Sequence, residues 1–173
     1  MEMLDIYDKR GKHIGTMERH AAHDPQNKGV YHKGVHIWIV NDKNEVLVQL
    51  RAKAKADCPD QWDVSCAGHV DAGETLLETC QRELAEELGL KSSQDSFIYK
   101  GELLGRSGNE LHQLYLLRLN VEIKDMKLAP PEVADAKWLS LKDFEKLLFS
   151  KKFVAHAKNY KKFVLAFLKD SQI

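Results

Sequence analysis

The stretch Gly68-His69-Val70-Asp71-Ala72-Gly73-Glu74-Thr75-Leu76-Leu77-Glu78-Thr79-Cys80-Gln81-Arg82-Glu83-Leu84-Ala85-Glu86-Glu87-Leu88-Gly89-Leu90 decides how this chain is read. From about Thr75 to Leu88 its apolar spacing is helical, and Gly89 follows as a residue able to close the helix in a left-handed conformation. At about 100° per residue, Glu86 and Glu87 fall within about 60° of Glu83, so three carboxylates share one face. Leu77, Cys80, Leu84 and Leu88 form an adjacent apolar stripe suited to packing on a sheet. Like charges at these spacings repel by roughly 0.2–0.5 kcal/mol per pair. A hard divalent cation removes that penalty, and Mg²⁺ in particular takes carboxylate and carbonyl oxygens while keeping several waters, as it does where a substrate brings phosphates. Arg82 stands where a charge-assisted hydrogen bond can orient a carboxylate. Taken alone, such a helix reads as a solvated acidic face; the glycine-containing loop before it, Gly68 to Gly73, moves the reading toward a metal site.

Outward from this segment the chain interleaves strands and helices. Leu4–Asp8 and His13–Thr16 flank a Lys-Arg-Gly-Lys turn and predict a hairpin over about residues 1–16. A helical turn is expected at 17–23, a loop at 24–29, and strands at Val35–Val40 and Glu45–Leu50 around the turn Asn41–Asn44. A charged loop runs through Trp62 to a short strand before Gly68. Beyond Gly89, strands are expected at Phe97–Leu104 and Leu111–Ile123, a break at Pro130-Pro131, and helices at Leu141–Leu148 and Phe153–Leu168. The last helix places Phe153, Ala157, Tyr160, Val164 and Phe167 on one face and its lysines largely elsewhere, which reads as a packing helix rather than a basic docking helix. The fold class expected is therefore α/β of the α+β type, a mixed sheet covered by helices in a single domain over 1–173.

Composition narrows the functions open to it. The chain has 26 Lys plus Arg against 26 Asp plus Glu, which leaves no whole-molecule field for a nucleic-acid polymer or a membrane surface. Any anionic substrate must be handled locally. Three cysteines, Cys58, Cys66 and Cys80, form no C-x-x-C pair and suggest neither a disulfide framework nor a zinc knuckle. Without a secretion signal or an apolar run of the ~18 residues a membrane span needs, the protein is expected in the cytoplasm, with a homodimer left open.

The segment Gly68–Leu90 resembles the Nudix box, G-x5-E-x7-R-E-U-x-E-E-x-G-U with U a bulky aliphatic residue. Gly68, Glu74, Arg82, Glu83, Leu84, Glu86, Glu87, Gly89 and Leu90 match every defined position. Seven fixed residues, each at about 5–7% usage, coincide by chance on the order of 10⁻⁹ per window. The resemblance implies an αβα sandwich with a loop–helix–loop holding Mg²⁺ or Mn²⁺. It implies Glu83, Glu86 and Glu87 as metal-binding carboxylates, joined by the Gly68 carbonyl, with Arg82 and Glu74 bracing loop against helix. The reaction implied is attack of a metal-activated water on phosphorus in a small diphosphate-containing substrate. The general base is implied to be a box glutamate such as Glu83 or one outside the box, for which Glu110 stands first and Glu132 second.

The likeness extends beyond the box to the subgroup containing isopentenyl-diphosphate isomerases, through Asp5–Asp8, Ala21-Ala22-His23, Tyr31-His32, Leu47–Arg51, Pro59–Trp62 and Ala67-Gly68-His69. That resemblance implies a divalent metal among histidines and glutamates, at positions matching His23, His32 and His69, with Glu110 matching one of a pair of isomerase glutamates. Two departures count against isomerisation. Ala67 stands where the isomerases place a catalytic cysteine, with Cys66 one residue early and so directed to the opposite strand face. Gly108 replaces the acidic partner of Glu110. Retention of the whole carboxylate cluster favours hydrolysis, with isomerisation the runner-up and an idle Nudix binding module third. Arg51 and Lys55, with Lys53, are candidates for substrate phosphates, and Trp38, Trp62 or Tyr115 for stacking on a base, although solvated loop charges for the former and core packing for the latter are the stronger readings.

Overall fold

The computed structural model describes residues 2–24 and 26–171; Met1, Pro25, Gln172 and Ile173 lie outside the described residues, and with them the first residue of the expected hairpin and one residue of the expected 24–29 loop. In chain order the elements are β1 (Met3–Tyr7), β2 (His13–Glu18), α1 (Arg19–Ala22), β3 (His32–Val40), β4 (Val46–Arg51), β5 (Trp62–Asp63), β6 (Cys66–His69), α2 (Leu76–Leu88), β7 (Phe97–Leu104), β8 (Glu110–Arg118), β9 (Val133–Leu139), α3 (Leu141–Leu148) and α4 (Tyr160–Asp170). Strands β1 and β2 make a separate hairpin. The other seven form one mixed sheet in the order β5-β4-β3-β8-β7, with β6 paired on β3 and β9 on β4. The β3–β8 pair is parallel and the remaining pairs are antiparallel.

Alternation along the central strands builds the layers, because successive side chains point to opposite faces. Val35, Ile37 and Ile39 of β3 join Tyr115 and Leu117 of β8 and Cys66 of β6 in a core closed by Cys80, Leu84 and Leu88 of α2. Trp38 and Val40 join Leu114 and Leu116 in a second core closed by Phe144 and Leu148 of α3 and by Tyr160, Val164 and Phe167 of α4. The product is the expected αβα sandwich with a mixed sheet.

Local chemistry fixes α2 at both ends. The Thr75 hydroxyl accepts from the Glu78 amide at 3.3 Å while the Thr75 amide donates to the Glu78 carboxylate at 2.9 Å, a capping box. Gly89 ends the helix at φ 65°, a conformation costly for other residues. The hairpin then pins the loop that precedes the helix: the Ala72 amide donates to the Met3 carbonyl at 2.8 Å and the Gly73 amide to the Asp5 carboxylate at 3.0 Å.

Three expectations are corrected. The last helix begins at Tyr160, not Phe153, because the chain at 152–154 runs extended beside β5: the Trp62 amide donates to the Lys152 carbonyl at 2.8 Å and the Val154 amide to the Trp62 carbonyl at 2.9 Å. Phe153 is buried beside Trp38 and Phe144, so its apolar character serves the core from an extended segment. Strand β8 stops at Arg118 rather than Ile123; the chain turns through a short 3₁₀ segment at Ile123–Asp125, and the Val121 carbonyl is taken by the Trp138 indole at 3.0 Å. Gly68 lies in β6 rather than in the loop that follows it. Strand β9, for which no expectation was formed, pairs with β4, which also pairs with β3 and β5. No helix among the described residues is long and apolar enough to cross a membrane.

Candidate metal centre

Gly68 and Glu83 occupy one space. A β-carbon built on Gly68 would overlap the Glu83 carboxylate, so this strand position accepts only a residue without a side chain. Register explains the approach. Gly68 pairs with Val35 and Cys66 with Ile37, which puts Gly68 on the sheet face covered by α2. Arg82 then fixes the carboxylates around that point. Its Nη1 donates to Glu83 at 2.6 Å and to Glu86 at 3.2 Å, its Nε and Nη2 grip Glu74 at 3.0 and 2.9 Å, and Nη2 also reaches the His69 carbonyl at 2.9 Å. Thr79 donates to Glu74 at 2.7 Å. One guanidinium thus ties the loop, the strand and the helix together, as a planar five-donor group can and an ammonium cannot.

Glu87 is buried, and its carboxylate accepts from the Gln49 amide group and the Ala67 backbone amide, both at 3.1 Å. Burial, reinforced by the charge of Glu87, raises the Glu83 carboxyl to about 8. Burial likewise raises Glu87 to about 7, against the hydrogen bonds from Ala67, Cys66 and Gln49. Glu86 remains exposed. Two desolvated acids beside an exposed third, under a strand position that carries no side chain, fit a hard divalent cation that replaces protons.

A pH dependence follows. In the metal-free fold, Glu83 and Glu87 hold protons that the unfolded chain releases near the ordinary carboxyl value of 4.5. Their contribution to stability is therefore fully present below about 4.5 and is lost as pH rises through 7 and 8. The melting temperature of the metal-free protein is expected to fall between pH 5 and pH 9. Added Mg²⁺ or Mn²⁺ should restore more of it at pH 8.5 than at pH 6, since the cation binds the ionised forms. Equal metal-induced shifts at both pH values would show that these carboxyls titrate as solvated groups.

The other face of the same strands carries histidines. His32, Gly34 and His36 of β3 lie beside Glu110, His112 and Leu114 of β8 in parallel register, and Gly34 and His36 beside His69 and Ala67 of β6. His23, just past α1, completes a triad with His32 and His69, one ring nitrogen of each within 4.8 Å of the others. His23 Nε2 meets His69 Nε2 at 3.0 Å, and His69 Nδ1 meets the Glu2 carboxylate at 3.0 Å. Both nitrogens of His32 are buried without a partner among the described residues. Burial lowers His32 to about 4, so its ring is neutral near pH 7 with a lone pair to offer. These donors suit an imidazole-seeking divalent metal. Glu110 lies between this triad and His112, 3.8 Å from His69 Nε2 and 3.4 Å from His112 Nε2. Burial alone would raise its carboxyl, but the hydrogen bond and charge of His112, with the charges of His69 and His36, hold it well below the carboxylate range.

The structure therefore gathers Gly68, Arg82, Glu83, Glu86 and Glu87 on one side of β6 and His23, His32, His69 and Glu110 on the other. Arg51 is engaged elsewhere, donating to the Asp57 carbonyl at 2.8 and 3.1 Å and to Asp63 at 3.3 Å. Lys55 pairs with Glu132 and lends positive charge toward Glu87. Trp38 is core, while Lys137 lies 3.8 Å over the Trp62 ring. Sequence reading missed Gln49 and Glu2, the partners of Glu87 and His69, because neither stands near the box. It also missed a second cluster, His36, His112 and His156, drawn from three separate elements.

The NUDIX domain family model matches residues 30–163. Nudix hydrolase 3 of Arabidopsis thaliana is 33% identical over 158 residues, a match that takes in 85% of this chain but only 20% of that longer protein. An isopentenyl-diphosphate isomerase of Aliivibrio fischeri is 31% identical over 158 residues, 85% of this chain and 84% of its own. Among solved structures, DR0079 of Deinococcus radiodurans superposes with a TM-score of 0.69 at 19% identity, over 98% of both chains.

Proposed function

Because the chain belongs to the Nudix family, we propose that it hydrolyses a phosphoanhydride bond in a nucleoside-diphosphate-linked or other small diphosphate metabolite, with Mg²⁺ or Mn²⁺ held on α2. The observation that carries this reading is the complete carboxylate ridge, with Glu83 filling the space that a side chain at Gly68 would take. Glu83, Glu86, Glu87 and the Gly68 carbonyl would hold the cation. When bound, it would polarise phosphate oxygens and lower the pKa of a water.

The protein's own groups have distinct tasks in this reaction. Glu83, held beneath Gly68 and oriented by Arg82, is the box glutamate assigned to accept a proton from the attacking water. Arg82 orients Glu83 and Glu86 and locks Glu74, acting as a positioning residue rather than on substrate. Glu110 is a weak base in its histidine surroundings and serves that face instead. Lys55, at the rim near Glu87, is the basic group placed to meet a phosphate; Arg51 holds the 52–61 loop.

Isomerisation of isopentenyl diphosphate is a second reading, favoured by His23, His32, His69 and Glu110 on one face. The thiol geometry opposes it. Ala67 shares that face with His69, whereas Cys66 is fully buried in the α2 core, where burial and the charges of Glu87 and Glu83 push its pKa well above normal. Cys66→Ala removes one hydrogen bond to Glu87 but leaves those from Ala67 and Gln49, so hydrolysis should stay within about threefold of wild type. The test is a phosphate-release screen over nucleoside di- and triphosphates, nucleotide sugars, dinucleotides and prenyl diphosphates with Mg²⁺ or Mn²⁺, run beside an isomerisation assay. Isomerisation without hydrolytic products, abolished in Cys66→Ala, would reverse the assignment.

A further inference from the structure

The cluster His36, His112 and His156 lies on the α4 side of the sheet, apart from the carboxylate ridge and next to the His23–His32–His69 triad. His36 comes from β3, His112 from β8 and His156 from the extended segment before α4. One ring nitrogen from each lies within 4.8 Å of one from each of the other two. All three rings are nearly inaccessible.

Each ring also has an oxygen neighbour. His36 Nδ1 meets the Tyr160 hydroxyl at 2.6 Å, His156 Nε2 meets the Asp63 carboxylate at 3.1 Å, and His112 Nε2 faces Glu110 at 3.4 Å. Metal-bound histidines are oriented in this way, with one nitrogen held by an outer oxygen and the other left for the ion. His112 Nδ1 is buried with no partner among the described residues. Asp63 and Glu110 place two carboxylates behind the rings, which matches the charge of a dication.

We propose that His36, His112 and His156 form a distinct transition-metal site of the zinc class. Three imidazoles select Zn²⁺ and its neighbours over Mg²⁺. Bonds of about 2.0–2.1 Å to a tetrahedral ion hold ligand nitrogens roughly 3.4 Å apart, a spacing within the 4.8 Å that already encloses the three nitrogens. A route in is present. A cleft of about 650 Å³, lined by Gly105, Arg106, Lys158, His156 and Tyr160, reaches the cluster at His156. Gly105 leaves room for the His112 ring, since a β-carbon there would come within 2.6 Å of its Nε2.

The proposal is tested on full-length protein stripped of metal and carrying His32→Asn and His69→Asn, so that the neighbouring triad cannot bind. Titration with Co²⁺ is expected to give one tight equivalent with the intense visible bands of a tetrahedral site. Adding His156→Asn should abolish that equivalent, and adding Asp63→Asn should weaken it by about 10–100-fold. Failure to bind in the double variant, or binding undiminished by His156→Asn, overturns the proposal. Zn²⁺-soaked crystals of the unmutated chain give an answer that does not depend on how the variants fold. An anomalous peak between the three rings supports the site, and its absence there overturns it. Neither readout involves hydrolysis, so failure of the hydrolytic reading leaves this test intact.

Discussion

Glu83→Gln is expected to lower kcat/KM for the hydrolysed substrate by roughly two to four orders of magnitude, without lowering the melting temperature of the metal-free protein. The two halves of this expectation have one cause. Glu83 is desolvated beneath Gly68 and repelled by Glu87, which is why its carboxyl is raised to about 8. Glutamine keeps the shape and an oxygen for the 2.6 Å bond from Arg82, but it removes the charge that grips a cation and the base that takes a proton. In the metal-free state the substitution should even stabilise the fold above pH 8, where wild-type Glu83 must ionise in place. Calorimetric titration with Mn²⁺ should show the corresponding loss of affinity. Wild-type turnover in this variant would remove Glu83 from the reaction, and a large drop in stability would mark it as a structural acid instead.

The parts of this protein that sequence reveals are those written in local periods. Thr75, Glu78 and Gly89 specify both ends of α2 by their own hydrogen bonds and backbone preferences, and the face shared by Glu83, Glu86 and Glu87 follows from helical geometry alone. Pairing across the sheet is not local. Nothing near Gly68 says that Val35 will lie opposite it, or that Glu110 will lie beside His32 in parallel register. The side of β6 on which Cys66 falls was legible, because alternation within a strand is local. The cluster of His36, His112 and His156 was not, since it exists only once β3, β8 and the segment before α4 are packed together. Phe153 misled for a related reason: it has the spacing of a helical packing residue but is held extended by Trp62, a partner far away in the chain.

Gly68→Ala is expected to cost at least about 100-fold in hydrolysis, the scale of a displacement of about an ångström at a reacting centre. The backbone at Gly68 has no positive φ, so alanine is conformationally tolerated and the obstacle is only space. The added methyl group would fall on the Glu83 carboxylate, which must swing away and break its bond to Arg82. The helix can release that side chain toward solvent, so the fold should persist while Mn²⁺ affinity and turnover collapse together. Gly34→Ala is the matched control on the opposite face. Its methyl group would overlap Glu110 Oε1 at 2.6 Å, on the histidine side, and make only a tight 3.3 Å contact with the Gly68 carbonyl, so the cation site loses no carboxylate and feels at most a few tenths of an ångström. Hydrolysis by Gly34→Ala should therefore remain within about tenfold of wild type, a loss consistent with a small indirect shift. If the chemistry instead runs on the histidine face, the order reverses, with Gly34→Ala inactive and Gly68→Ala near normal. Measuring both variants against the same substrate thus decides which face of β6 carries the reaction.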